Sequence, residues 1–247
     1  MDKQVEIAIH NCTVCQAADK SAKTAVTPLQ PVPLPERPWQ KVVIDIVGPT
    51  EKAPHDCRFA ITLVGYFSKL PEVQFCSHLS TRTVTVFLLS VFSRGRYPDE
   101  IVCDNGPQFC SREFNQFLKD CAIRLSHSSL YYPQANGLVG RFNRVFKNLV
   151  QTALLVDRPL RPAVIEYIGI YRCTPHATTG VAPAMLLHRR LPRARLDVVG
   201  HPSSSFFKDP ATELSQLRRR VKHRQESGQI FFEPRRRPTS QLVISSG

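Results

Sequence analysis

Three groups of residues in this 247-residue chain have types and spacings that could do chemistry. Asp45 interrupts the apolar run Lys41-Val42-Val43-Ile44-Asp45-Ile46-Val47, and Asp104 ends a second run, Ile101-Val102-Cys103. A carboxylate in a buried strand is costly unless something compensates it. Two of them brought together favour a divalent cation such as Mg²⁺, which takes hard oxygen ligands. Taken singly, each Asp reads equally well as a strand-end cap or an ion-pair partner. Cys12-Thr13-Val14-Cys15 forms a Cys-x-x-Cys turn, a spacing that holds two thiolates at tetrahedral separation for zinc. Two ligands do not make a site, and His10, the nearest third candidate, reads more simply as a surface residue.

The third group is cationic. Lys and Arg number 33 against 20 Asp and Glu, giving a net charge of +13 and a pI near 9.7. Such a surplus points to a polyanionic partner, because clustered cations gain affinity by releasing counterions from nucleic acid. The charge is uneven: residues 188–247 hold 13 Lys and Arg against 5 acids, net +8. Simple solubility is the plainer reading of a basic surface; clustering at one end favours nucleic acid. No apolar run is long enough to span a bilayer, and the start Met1-Asp2-Lys3-Gln4 lacks the apolar core of a signal peptide. Eight irregularly spaced cysteines then read as free thiols or metal ligands rather than disulfides. The expectation is a nuclear or cytoplasmic protein, with the basic tail favouring the nucleus.

Residues 28–38 carry five prolines and read as an extended linker. From Trp39 the apolar pattern sharpens. Lys41–Pro49, Arg58–Gly65 and Glu72–Cys76 read as three strands joined as antiparallel neighbours. Thr81–Phe92 is a helix with Val84, Phe87, Leu88 and Val91 on one face. Glu100–Asp104 is a fourth strand, and Ser111 caps a helix whose Phe114, Phe117, Leu118 and Cys121 share a side. Ile123–Ser126 is a fifth strand. After Pro133 comes a helix with Leu138, Phe142, Val145, Leu149 and Leu154 on its apolar side. Asn136, Gly140, Asn143, Arg144 and Lys147 fall on the other side. Pro159 and Pro162 break the pattern before a further helix, Ala163–Tyr171. Three strands followed by helix–strand–helix–strand–helix is the order of the RNase H-like fold, an α/β class with a mixed five-stranded sheet and helices on both faces. Beyond Arg189 the tail is basic and polar and is expected to be largely mobile.

Several stretches resemble the catalytic cores of retroviral and LTR-retrotransposon integrases, especially the Ty3/gypsy type. Asp104-Asn105-Gly106-Pro107-Gln108-Phe109 is similar to that family's D-N-G-x-Q-F turn around its second essential acid. Tyr132-Pro133-Gln134-Ala135-Asn136-Gly137-Leu138-Val139-Gly140-Arg141 is similar to its H-P-Q-x-N-G-x-x-E-R entry into the helix of the third acid. Tyr171 to Leu187 follows its closing Y-x-x-x-x-H-x-x-T-G-x-x-P-x-x-L pattern. The resemblance runs from about Cys12 to Leu187, and its smaller departures are Cys103 for a usual Ser and Leu70 for a usual Trp. It implies a truncated zinc module over residues 1–27, with Cys12 and Cys15 as the remaining half-site. It also implies a catalytic core over 39–187 and a basic tail over 188–247; Val198–Phe207 and Ile230–Phe232 are too weak to decide whether the tail forms a small β-rich domain.

What the resemblance implies about chemistry is phosphoryl transfer on DNA, with metal ions (Mg²⁺ or Mn²⁺) held by two Asp and one Glu. In the RNase H-like order the strands of Asp45 and Asp104 are neighbours, so these two carboxylates converge. The family's spacing from its second to its third acid, counted from Asp104, lands on position 140, and that residue is glycine. The nearest other acids, Glu113, Asp120, Asp157 and Glu166, lie beyond one or two helical turns of it. The expectation is an integrase-like protein that binds DNA through Asn105, Gln134, Asn136, Asn143, Arg144 and Lys147, forms homo-oligomers, and is catalytically deficient. Zn²⁺ at the incomplete cysteine pair is the other cofactor implied. The alternatives are a DNA-binding protein without catalysis and a decaying fragment with no selected role.

Overall fold

In the computed structural model, residues 33–128, 137–192 and 210–232 can be described. Val32–Glu226 form one compact unit; a second takes Met1–Pro31 and Ser227–Gly247. Cys12, Cys15, Gln134 and Asn136 lie outside the described residues.

The first unit is built on strands β1 (Lys41–Val47), β2 (Phe59–Gly65), β3 (Pro71–Cys76), β4 (Glu100–Cys103) and β5 (Arg124–His127). They lie in the order β3-β2-β1-β4-β5. The first three pair antiparallel, whereas β4 and β5 join parallel, each reached through helical connections. The expected mixed five-stranded sheet is therefore the observed one.

Side chains alternate across β1 and so divide the core in two. Val42 and Ile44 face one layer, made by α1 (Thr81–Arg94), the single turn α2 (Pro107–Cys110) and α3 (Arg112–Asp120). Val43 and Val47 face the other, made by α4 (Gly137–Leu155) and α5 (Leu160–Cys173). Ser80 and Ser111 cap α1 and α3, accepting from the backbone N–H groups of Thr83 and Phe114. α4 closes at Asp157, which takes φ 52° while the N–H of Arg158 donates to Ala153 O at 2.8 Å, and Pro159 is the N-cap of α5. A short α6 (Pro183–His188) follows.

Two expectations need correction. The apolar side of α4 was set one residue off. Val139, Phe142, Phe146, Val150 and Ala153 are buried against the sheet and α5, and Val145 is exposed. Leu138, Leu149 and Leu154 pack only at the margin of this stripe. The sheet layer selects the stripe that contains Phe146, which stacks with Phe142 and tilts against Phe75 of β3. The basic tail also contains an ordered element, the 23-residue helix α7 (Pro210–Phe232). Its Leu217 and Val221 are buried on Phe67, with Leu34, Leu186 and Leu214 at the edge. Three apolar residues at positions 214, 217 and 221 supply one narrow helical stripe, hidden in the sequence among six Lys, Arg and His residues at positions 218–224.

Candidate active site

The pairing of β1 with β4 runs Lys41↔Glu100, Val42↔Ile101, Val43↔Val102. Asp45 and Asp104 each stand two residues beyond the last of these pairs. Strand alternation therefore turns both toward the side that Val43 and Val102 occupy, the side covered by α4. Neighbouring strands lie about 4.8 Å apart, so the two carboxylates meet at one end of the sheet. The effect is electrostatic as well as geometric. Burial first, and the charge of Asp104 second, push the Asp45 carboxyl above its ordinary range.

Hydrogen bonds hold both acids in place. One oxygen of Asp45, Oδ1, accepts from the backbone N–H of Ile46 at 2.8 Å. The other, Oδ2, accepts from Asn143 Nδ2 of α4, also at 2.8 Å. Asp104 Oδ1 accepts from the N–H of Gly106 at 3.0 Å, an Asx-type turn that leads into Pro107 and α2. His127 of β5 approaches the Asp104 carbonyl at 3.2 Å through Nδ1. These bonds leave lone pairs on both carboxylates for a further partner.

On α4, Asn143 faces Asp45; Gly140 and Lys147 lie three residues before and four after it, and Arg144 follows it directly. Asn143 was expected on an exposed face and available to DNA. It is instead only 6% exposed, and its amide is committed to Asp45. Its Oδ1 is buried with no hydrogen-bond partner. The reason is the one-residue rotation of the buried stripe, which brings position 143 beneath the helix rather than beside it. Arg144 and Lys147 are exposed. Lys147 is near enough to Asp45 to oppose, weakly, the rise in its pKa. Asn105 is exposed beside Asp104, its amide donating to Ser128 O at 3.4 Å. Gly140 is exposed, and a Cβ built there meets nothing within 4 Å. Among the described residues, no group of three or more His, Cys, Asp and Glu gathers in a metal-holding arrangement. None of the described helices is long and apolar enough to cross a membrane.

Residues 35–133, which include both acids, match the integrase core domain family. The chain carries an integrase core domain. An uncharacterized protein of Caenorhabditis elegans is 30% identical over 227 residues, covering 92% of this chain. The transposon Tf2-3 polyprotein of Schizosaccharomyces pombe is 28% identical over 221 residues, covering 87%. The chain spans only 17% and 16% of the lengths of these two relatives. Among solved structures, the simian T-cell lymphotropic virus intasome in complex with PP2A regulatory subunit B56 gamma matches with a TM-score of 0.59 at 20% identity. That match covers 81% of this chain and 72% of the other. The HTLV-2 integrase catalytic core domain in complex with magnesium, trimeric form, matches with a TM-score of 0.50 at 23% identity, covering 62% and 98%. At these identities the structural matches establish the fold alone: the integrase core has the RNase H-like architecture of its retroviral counterparts.

Proposed function

We propose that this integrase core binds DNA, holds a divalent cation weakly between Asp45 and Asp104, and is severely impaired in strand transfer. The observation that carries the reading is the pair of converging carboxylates, Asp45 and Asp104, in a chain whose position 140, where the family's spacing puts the third acid, is glycine. Asp45 and Asp104 are hard oxygen donors on adjacent strands, and burial first, then the charge of Asp104, raises the pKa of Asp45. This donor chemistry suits Mg²⁺ or Mn²⁺. When bound, such an ion supplies Lewis-acid stabilisation to a phosphoryl oxygen. The chain's own residues orient the acids: the Ile46 N–H and Asn143 fix the Asp45 carboxylate, and the Gly106 N–H fixes that of Asp104. Gly140 contributes neither charge nor ligand, so a cation here keeps one carboxylate fewer than the arrangement calls for.

Arg144 and Lys147 extend a positive edge from the acids along α4, where a DNA backbone phosphate would meet them. Asn105, exposed beside Asp104, belongs to the same proposed contact, as do Gln134 and Asn136 by their place in the motif. Homo-oligomeric assembly and a nuclear location accompany this reading, supported by the kinship with integrases and by the basic charge. A core bounded by residues 39 and 187 is part of it as well.

The test is Mn²⁺- and Mg²⁺-dependent strand transfer on a DNA oligonucleotide. The native chain is expected to be silent and Gly140→Glu active, with the gain lost again when Asp104→Asn is added. Native activity abolished by Asp104→Asn would overturn the impaired-enzyme reading. A non-catalytic DNA-binding protein is the second reading, favoured by the exposed cations of α4; it predicts DNA retention by the native chain with no activity in any variant.

A further inference from the structure

A second charged site lies where three segments of the first unit converge. The turn after β2 brings Phe67 against Leu217 and Val221 of α7, seating that helix beside the loop between α5 and α6. The loop folds on His176, whose carbonyl accepts from the N–H groups of Thr179 and Gly180, and whose ring accepts from the N–H of Thr178. Gly180 takes φ +69°, and a Cβ there would collide with the guanidinium of Arg220. Arg220 in turn donates to the Thr179 carbonyl at 3.3 Å. Between loop and helix is a cleft of about 430 Å³ lined by Ala177, Gly180, Arg220, His223 and Arg224.

We propose that this cleft is a receptor for a phosphoryl anion. Positions 220, 223 and 224 lie at i, i+3 and i+4 on α7, so two guanidiniums and an imidazole present one face. Arg220 is anchored by the Thr179 carbonyl rather than by an acid, and none of the described lining residues is acidic. Planar guanidiniums in pairs match the oxygens of phosphate better than any other common anion-binding group. Glycine at position 180 lets the helix and loop approach closely enough to form the cleft's floor, and the volume is that of a small-ligand pocket.

The far side of the same loop is positive too. Lys69 is 8% exposed and donates through Nζ to the Tyr66 carbonyl at 2.7 Å. Burial, and then the nearby Arg141, pull Lys69 down to about 8. Burial, and then Lys69 and Arg141, pull His176 down to about 4. No carboxylate figures among the influences on either group. The loop is thus flanked by cations on two sides, and an anion in the cleft would relieve that concentration of charge.

Two sources could supply the phosphoryl group: a nucleic-acid backbone or a free phosphorylated small molecule. The test uses the full chain at low ionic strength, with inorganic pyrophosphate as the probe in a ³¹P NMR titration. Arg224→Gln should weaken pyrophosphate binding about tenfold, the scale of one charge-assisted hydrogen bond. Arg82→Gln, an exposed cation on α1, should change it less than about twofold. Thermal melting of both variants checks that the fold is kept. If Arg224→Gln melts early, protection of native arginines from phenylglyoxal by pyrophosphate replaces it as the readout. Competition by a short DNA duplex would assign the cleft to backbone phosphate, and its absence to a free phosphorylated ligand. No saturable pyrophosphate binding, or equal binding by native and folded Arg224→Gln chains, would overturn the proposal.

Discussion

Asn143 Nδ2 donates to Asp45 Oδ2 at 2.8 Å while the Oδ1 of the same amide is buried without a partner. A single bond between α4 and β1 therefore fixes a candidate active-site acid, while an acceptor stays unsatisfied beside it. Buried polar atoms without partners cost about 1–3 kcal/mol, and such costs gather where function competes with stability.

Replacing the acid should relieve this tension. Asp45→Asn removes a buried, crowded charge. The Asp45 carboxyl is raised in the folded chain above its unfolded value of 3.8. It is therefore neutral in both states below that value and imposes no penalty there. As pH rises through the folded value the ionised group weighs against the fold in full. The variant should accordingly be more stable than the native chain at pH 7, by about 1 kcal/mol, with the gap closing toward pH 4. Thermal melts at the two pH values check this; a lower Tm for Asp45→Asn at pH 7 would contradict it.

The buried stripe of α4 can be read out by mutation. Phe146→Ala removes a side chain 1% exposed and should cost about 3–5 kcal/mol. Val145→Ala, at a position 46% exposed, should stay within about 0.5 kcal/mol. Urea denaturation of the two variants separates them, and comparable losses would put α4 in the wrong rotation.

Helix α7 should report on its docking in the same way. Leu217 is 7% exposed on Phe67, and Leu217→Ala should cost about 2–3 kcal/mol and speed amide exchange along the helix. An unchanged melt with unchanged exchange would mean that the helix is not held by this contact.

Much of this architecture was legible in the sequence because its signals were local. Asp45 stands out as the one charge within an apolar strand, and Asp104 as the acid that ends another. Ser111 sits where a helix must begin. The strand order followed from the alternation of helix and strand patterns after three consecutive strands. Asn143 was given to the polar side of α4, and Phe146 was missed, for a different reason. On α4 two apolar stripes share Phe142, one continuing through Val145 and Leu149 and the other through Phe146 and Val150. Which of them is buried depends on where the sheet and α5 lie, and no single helix carries that information. The asparagine beneath the helix then looks, from sequence, like its polar neighbours Arg144 and Lys147. The docking stripe of α7 was obscured because Leu217 and Val221 flank Arg218, Arg219 and Arg220, a run that reads as a solvated segment.

In the proposed site two of three carboxylates are present and the third is missing at position 140. Mn²⁺ binding followed by electron paramagnetic resonance tests it most directly, without depending on turnover or substrate. The open space around Gly140 admits a side chain, and glycine costs the helix about 1 kcal/mol relative to alanine, so Gly140→Glu should fold at least as well as the native chain. The account predicts weak Mn²⁺ binding by the native chain, tightened at least tenfold or so by Gly140→Glu and abolished by Asp104→Asn. Native binding that Gly140→Glu leaves unchanged, or that survives Asp104→Asn, would contradict it.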